Sequence, residues 1–387
     1  MLPEAVKTYI HTHRQEAVDT LSKLIGFPSV ATPQPQDGFP YGKPAAEALD
    51  FMLEQLSALG MTCTNYDYHM GAADWDDTLP PHLGILCHLD VVPAVQANWT
   101  SDPFTAEIRN DRIYGRGAID DKGPAVAALY AMRAVKELGI PLKKNVRLIL
   151  GTDEECGSSD IEHYYSMEKE APMTFSPDAE YPLVNTEKGR FPGHFTAGFE
   201  ASDALPRLVS IKAGTKVNVV PGKAKAAVEG FEMAALEKAA AETKEETGIS
   251  FEFAAEGTVT EITATGIGAH ASTPDVGNNA LTGLLVFLGK LDFASCPQVD
   301  MVRKTASLFP HGDVNGKTLG VAMEDELSGN LTLSFNMLSV DAASMDGEFD
   351  GRIPVCGNDE NVLEVVRARM AEQGLTLLNK ALIPPHH

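Results

Sequence analysis

Two runs in the first half of the chain are apolar almost throughout and end on ligand-type residues: "HLGILCHLD" at 82–90 and "KNVRLILGTDEE" at 144–155. A run with no polar alternation predicts a strand covered on both faces, so layers are needed above and below it. Between them "GPAVAALYAMRAVKELG" (123–139) predicts a helix, with Pro124 in its first turn and Gly139 just past its end. Helical spacing also runs from Val6 to about Ser29 and from Ala45 to Leu59, and short strands are expected in "DRIYGRGAID" (111–120) and "APMTFSPDAEYP" (171–182). Strands alternating with helices set the fold class: α/β, with an open, largely parallel sheet flanked by helices.

The texture changes near Glu187. Runs such as "RLVSIKAG", "KAKAAVEGF", "GTVTEITATG" and "NLTLSFNMLSV" are rich in β-branched and alternating residues, with helices expected at about 231–247 and 278–291. The chain of 387 residues is long for a single core, and its 44% hydrophobic content suits folded domains rather than disorder. Residues 1–186 are therefore expected to form the α/β domain and 187–382 a second, α+β domain.

Ligand sites in open α/β sheets gather outside the carboxyl ends of the strands. Those ends carry His88 and Asp90, Asp120 in "GAIDDKGP", Glu154 and Glu155 in "GTDEE", and Asp178 in "SPDAE". His88 and Asp90 alone read as a buried imidazole satisfied by a nearby acid, and one acid at a strand end is ordinarily solvated. Four such ends converging would gather uncompensated negative charge, which a fold tolerates when a cation sits among them. One imidazole among carboxylates suits zinc, manganese or cobalt better than the all-oxygen cages typical of calcium. A carboxylate can bridge two metal ions, and Asp120 is the natural bridge. Of the paired glutamates one can bind metal while its neighbour takes a proton, and Asp90 can fix the His88 tautomer.

The balance of 31 Lys and Arg against 54 Asp and Glu gives a formal charge of −23, a field that repels phosphate backbones and anionic lipid. Neither nucleic acid nor membrane is an expected partner. The start of the chain has no uninterrupted apolar core of the kind a signal peptide needs, and the five scattered cysteines include no CxxC, the usage of a reduced cytoplasm.

"HLDVVP", "YGRGAIDDKGP", "GTDEECGSSD" and "SPDAEYPL", in this order, resemble the M20 family of metallopeptidases, and within it the PepV-like dipeptidase branch. The resemblance covers nearly the whole chain. It implies a metallopeptidase sheet with an inserted α+β lid, two divalent ions (Zn2+ foremost, with Mn2+ or Co2+ as alternatives), and small peptides as substrates. It implies His88 and Asp178 on one ion, Glu155 on the other, Asp120 bridging and followed by a cis peptide, and Glu154 as general base. In the second domain it implies His270 as the group that steadies the oxyanion, Asn218 near substrate and Arg352 on the substrate's free carboxylate. The length of the lid implies a monomer.

The resemblance also implies a returning segment, beginning about 383, with a glycine-rich loop and a final metal-binding histidine, whereas the sequence stops at "ALIPPHH". The second metal is then expected to lack its imidazole, neither His386 nor His387 is assigned as a ligand, and the chain is expected to be metal-poor and weakly active or inactive. Two other readings share these residues: an M20 amidohydrolase of N-acyl amino acids, and a metal- or peptide-binding form without turnover.

Overall fold

The spacing that reads as one helix from Val6 to Ser29 is two helices in the computed structural model, α1 (Glu4–Thr12) and α2 (Arg14–Ile25). His13 separates them: its Nδ1 reaches back to the Tyr9 carbonyl at 2.8 Å and its ring stacks on that of Tyr9. A side chain that competes for a backbone carbonyl of its own helix favours a break there. The structure describes residues 3–32 and 38–387. They fall into two units, Met1–Leu183 and Val184–His387.

The first unit continues with α3 (Lys43–Ala58), β1 (Thr62–Tyr66), β2 (Met70–Asp74), β3 (Pro81–His88), β4 (Glu107–Arg109), β5 (Arg112–Tyr114), α4 (Lys122–Glu137), β6 (Asn145–Gly151), α5 (Ser159–Met167) and β7 (Met173–Phe175). Its main sheet has the order β1-β2-β6-β3-β7. β3 runs parallel to both β6 and β7, as expected, while the β1–β2 hairpin joins β6 antiparallel. The sheet is therefore mixed, with its parallel half where the ligand-type residues emerge.

Both faces are covered, which is why β3 and β6 read as apolar runs. On one face Ile85, Cys87, Leu148 and Leu150 pack with Leu49, Met52 and Leu56 of α3 and Ala125 and Leu129 of α4. On the other, Ile149, Met70, Ala72 and Tyr66 pack with Tyr164 of α5.

The second unit contains β8 (Gly189–Gly198), β9 (Arg207–Ala213), β10 (Val219–Val220), β11 (Lys223–Glu229), α6 (Met233–Thr247), β12 (Ser250–Glu256), β13 (Val259–Thr265), β14 (Ala269–His270), α7 (Ala280–Gly289), α8 (Pro297–Leu308), β15 (Glu324–Asp325), β16 (Gly329–Asn330), β17 (Thr332–Val340), β18 (Ser344–Ile353), α9 (Glu364–Glu372) and β19 (Thr376–Leu377). Eight strands form an antiparallel sheet of order β12-β13-β11-β9-β17-β18-β8-β19. Leu236 of α6, Leu281, Leu284 and Leu288 of α7, Val299 and Val302 of α8 and Met370 of α9 join its core. Ile383 and His386 bridge to Arg190 and Glu187. Among the described residues no helix is long and apolar enough to cross a membrane.

Gly151, the last residue of β6, shows how tightly the strand exits are built. A Cβ there would lie 2.6 Å from Asp160 Oδ2. Replacement Gly151→Ala should lower unfolding stability by about 1–3 kcal/mol in urea titrations, the usual cost of overpacking. Gly289→Ala, where a Cβ meets nothing within 4 Å, should be neutral or stabilising.

Candidate metal centre

The parallel strands deliver their carboxyl ends side by side. His88, the last residue of β3, lies opposite Gly151 in the β3–β6 register, and β7 pairs with the other edge of β3 as far as Phe175, three residues before Asp178. From these ends and from the turn before α4, the acids close on one imidazole. His88 Nε2 is 2.9 Å from Asp120 Oδ1, 3.4 Å from Asp178 Oδ2 and 3.9 Å from Glu154 Oε2. Donor atoms of His88, Asp120 and Glu155 all lie within 4.8 Å of one another. The peptide between Asp120 and Asp121 is cis.

The placement rests on three buried acids and a buried lysine behind the cluster. Asp90 is fully buried, and its two oxygens accept the backbone N–H groups of Glu154 (3.1 Å) and Glu155 (3.0 Å). Asp160 Oδ2 accepts those of Thr152 (2.7 Å) and Asp153 (3.1 Å). The loop after β6 is thus held amide by amide from Thr152 to Glu155, and the two glutamate side chains are set by a fixed backbone. Asp121 Oδ2 accepts the backbone N–H of His88, and Lys122 Nζ donates to the carbonyls of Leu24 and Phe27.

The role expected for Asp90 takes a more exact form here. His88 Nδ1 donates to the Asp90 backbone carbonyl at 3.0 Å, with the Asp90 carboxylate further off at 3.4 Å. The tautomer is fixed chiefly by a carbonyl, while the carboxylate is spent on the glutamate loop. Nε2 is left facing Asp120 and Asp178.

Crowding shapes the acidities. Burial alone would disfavour a charged His88, but hydrogen bonds to Asp120, Asp178 and Asp90 outweigh it and raise its pKa. Asp120, hydrogen-bonded to that ring, is held below the usual carboxylate range. Burial, then the charges of Asp120 and Glu154, push Glu155 up to about 7. Burial raises Glu154 as well. Asp121 is pushed up to about 7 and Asp160 to about 6, both by burial first. An imidazole nitrogen and several carboxylate oxygens at these separations fit a divalent ion of intermediate hardness, whose charge would oppose the repulsion that raises Glu155.

The other expected residues lie in the second unit. Asn218 precedes β10, and its carbonyl accepts the N–H of Ala271. His270 is exposed, paired with Val219 in the β10–β14 ladder, and its Nδ1 is 2.6 Å from Ser272 Oγ. Arg352 is already engaged: Nε and Nη2 donate to the two oxygens of Asp350 at 2.7 and 3.1 Å.

Sequence reasoning gave no role to Asp160, Asp121 or Lys122. Asp350 was also missed, although residues two apart on a strand share a face and "DGR" is visible in the sequence.

The raised pKa of Glu155 gives the metal-free protein a testable pH signature. A carboxyl whose folded pKa exceeds its unfolded value adds stability below the unfolded pKa and loses it as pH rises through the folded one. In chelator, Glu155→Gln should therefore melt above the parent at pH 8, and the two curves should converge towards pH 5. Equal melting temperatures throughout would mean that Glu155 is not crowded.

Residues 84–383 match the model of peptidase family M20/M25/M40. YtjP of Bacillus subtilis, provisionally named a dipeptidase, is 40% identical over 78% of this chain and 65% of its own length. The Beta-Ala-Xaa dipeptidase of Lactobacillus delbrueckii subsp. lactis is 35% identical over 79% of this chain and 64% of its own. The chain thus spans just under two thirds of those relatives. Among solved structures, the Saccharomyces cerevisiae dipeptidase Dug1p superposes with a TM-score of 0.51 at 14% identity, covering 98% of this chain and 79% of that one. Human carnosine dipeptidase 1 gives 0.50 at 16% identity, covering 99% and 80%. At such identities the superpositions speak for the fold, while the family match spans most of the sequence: this chain belongs to peptidase family M20/M25/M40.

Proposed function

We propose that the chain carries the catalytic centre of a metal-dependent dipeptidase that removes the amino-terminal residue from dipeptides or very short peptides. The observation that carries this reading is the division of labour between adjacent glutamates. Glu155 belongs to the group whose donor atoms converge, whereas Glu154, on the same pinned loop, stands at its edge, with Oε2 3.9 Å from His88 Nε2. A ligand and a proton acceptor side by side are what peptide hydrolysis at a metal needs. The dipeptidase names of the two bacterial relatives support the substrate class.

In this reading His88 and Asp178 hold one divalent ion, Glu155 the other, and Asp120 both, with zinc the first choice. Bound ions would polarise the scissile carbonyl and acidify a water. Glu154 takes the water's proton at Oε2 and delivers it to the departing amine. A raised pKa suits that exchange, because the group must release the proton it has taken. Asp90 is a positioning residue, acting through the Glu154 and Glu155 amides. His270 would steady the oxyanion and Asn218 would lie near substrate. Arg352 would receive the substrate carboxylate through Nη1, since Asp350 occupies Nε and Nη2.

The test is hydrolysis by the purified chain after chelation, then with zinc or manganese restored, across dipeptides and N-acyl amino acids. Metal-dependent cleavage of dipeptides is expected. Glu154→Gln should lose about 10²–10⁴-fold in kcat yet keep the melting-temperature rise that metal produces, whereas Asp120→Asn should lose both. Cleavage of N-acyl amino acids alone, or a Glu154→Gln variant at parental rate, would overturn the reading.

A further inference from the structure

The second unit holds an apolar cavity of about 350 Å³ whose lining includes none of His270, Asn218 and Arg352. It opens between α7 and α8, where Leu285, Leu288, Val299, Val302 and Phe309 form buried walls. A space this large and this apolar gains little from water, which needs polar partners to stay. Its size and composition are those of small-molecule sites: mostly hydrocarbon, with a few polar groups to fix orientation.

The polar groups narrow the ligand. Glu246 is bound by Lys290 at 2.9 Å, and Thr282 Oγ1 lies 2.9 Å from His311 Nδ1. Arg303 also lines the cavity, at its exposed edge. Among the described residues it has no hydrogen-bond, ion-pair or ring partner. An unengaged guanidinium beside a hydrocarbon-lined space fits a carboxylate, whose two oxygens match its planar fork. A doubly charged phosphate fits less well, beside Glu246 and in a chain of net charge −23. An ammonium group is less well served, because Glu246 already pairs with Lys290 through Oε2.

We propose that this cavity binds a small monocarboxylate with a branched aliphatic or aromatic body, the hydrocarbon between α7 and α8 and the carboxylate on Arg303. The site lies wholly within the second unit and is independent of the metal chemistry. Calorimetric titration of the full chain, stripped of metal and dialysed free of chelator, tests it with isocaproate, hydrocinnamate, their amides, acetate and leucine.

Isocaproate and hydrocinnamate should bind saturably, acetate should not, and the amides should bind at least about tenfold more weakly, the worth of one charge-assisted contact. Arg303→Gln should produce the same loss for the acids without changing the amides, and Arg303→Lys should restore part of it. Ala306→Phe, which fills the cavity from α8, should remove binding of acid and amide alike in a protein that still unfolds cooperatively. Acid and amide binding equally, leucine binding more tightly than isocaproate, binding that survives Ala306→Phe, or no saturable binding to the folded parent would each overturn the proposal.

Discussion

A single buried carboxylate sets the geometry of the centre. Asp90 has no solvent exposure and receives two consecutive backbone amides from the loop after β6, while its own carbonyl receives the His88 ring. Unpaired, a buried carboxylate would cost several kcal/mol. Paired this way it joins the exits of two parallel strands, so the imidazole and the two glutamates are positioned relative to one another by the backbone rather than by their own flexible side chains. Asp160 does the same for the two preceding amides, and Gly151 leaves room for it.

The cluster is graded from inside to outside. The positioning acids Asp90 and Asp121 are fully buried, Asp90 with both oxygens on backbone amides and Asp121 with Oδ2 on the His88 amide, whereas the side chains of Asp120, Glu154 and Asp178 are 55%, 49% and 31% exposed. Exposure keeps the outer acids ionisable and reachable, and burial keeps the inner ones still. The consequence is electrostatic. Negative groups crowd at one strand edge, burial and that crowding raise the pKa of Glu155, and the arrangement favours whatever cation enters.

Much of this was legible in the sequence because the strands that carry the ligands are apolar runs and their last residues are chemically conspicuous. His88, Asp120, Glu154 and Asp178 do meet, and Glu155 converges with His88 and Asp120. The β1–β2 hairpin was not foreseen. Its turn places Asp67 and Tyr68 at φ of 53° and 60° without a glycine to announce it, and its second strand, "MGAAD", has little β propensity. The roles of Asp160 and Asp121 were hidden for another reason: both act on backbone amides, Asp160 on Thr152 and Asp153 across the turn before α5 and Asp121 on the distant His88, and side-chain patterns do not encode such bonds. Arg352 looked free to take a substrate carboxylate, although Asp350, two residues before it on the same strand face, engages its Nε and Nη2.

At the carboxyl ends of β3, β6 and β7 these residues have the donor set and spacing of a divalent-cation site. Anomalous diffraction from crystals grown with manganese or zinc tests it most directly. A peak is expected at coordination distance from His88 Nε2 and Asp120, with Asp178 or Glu155 completing the set. Ions found only on the acidic surface elsewhere, with His88 Nε2 still bonded to Asp120, would contradict it.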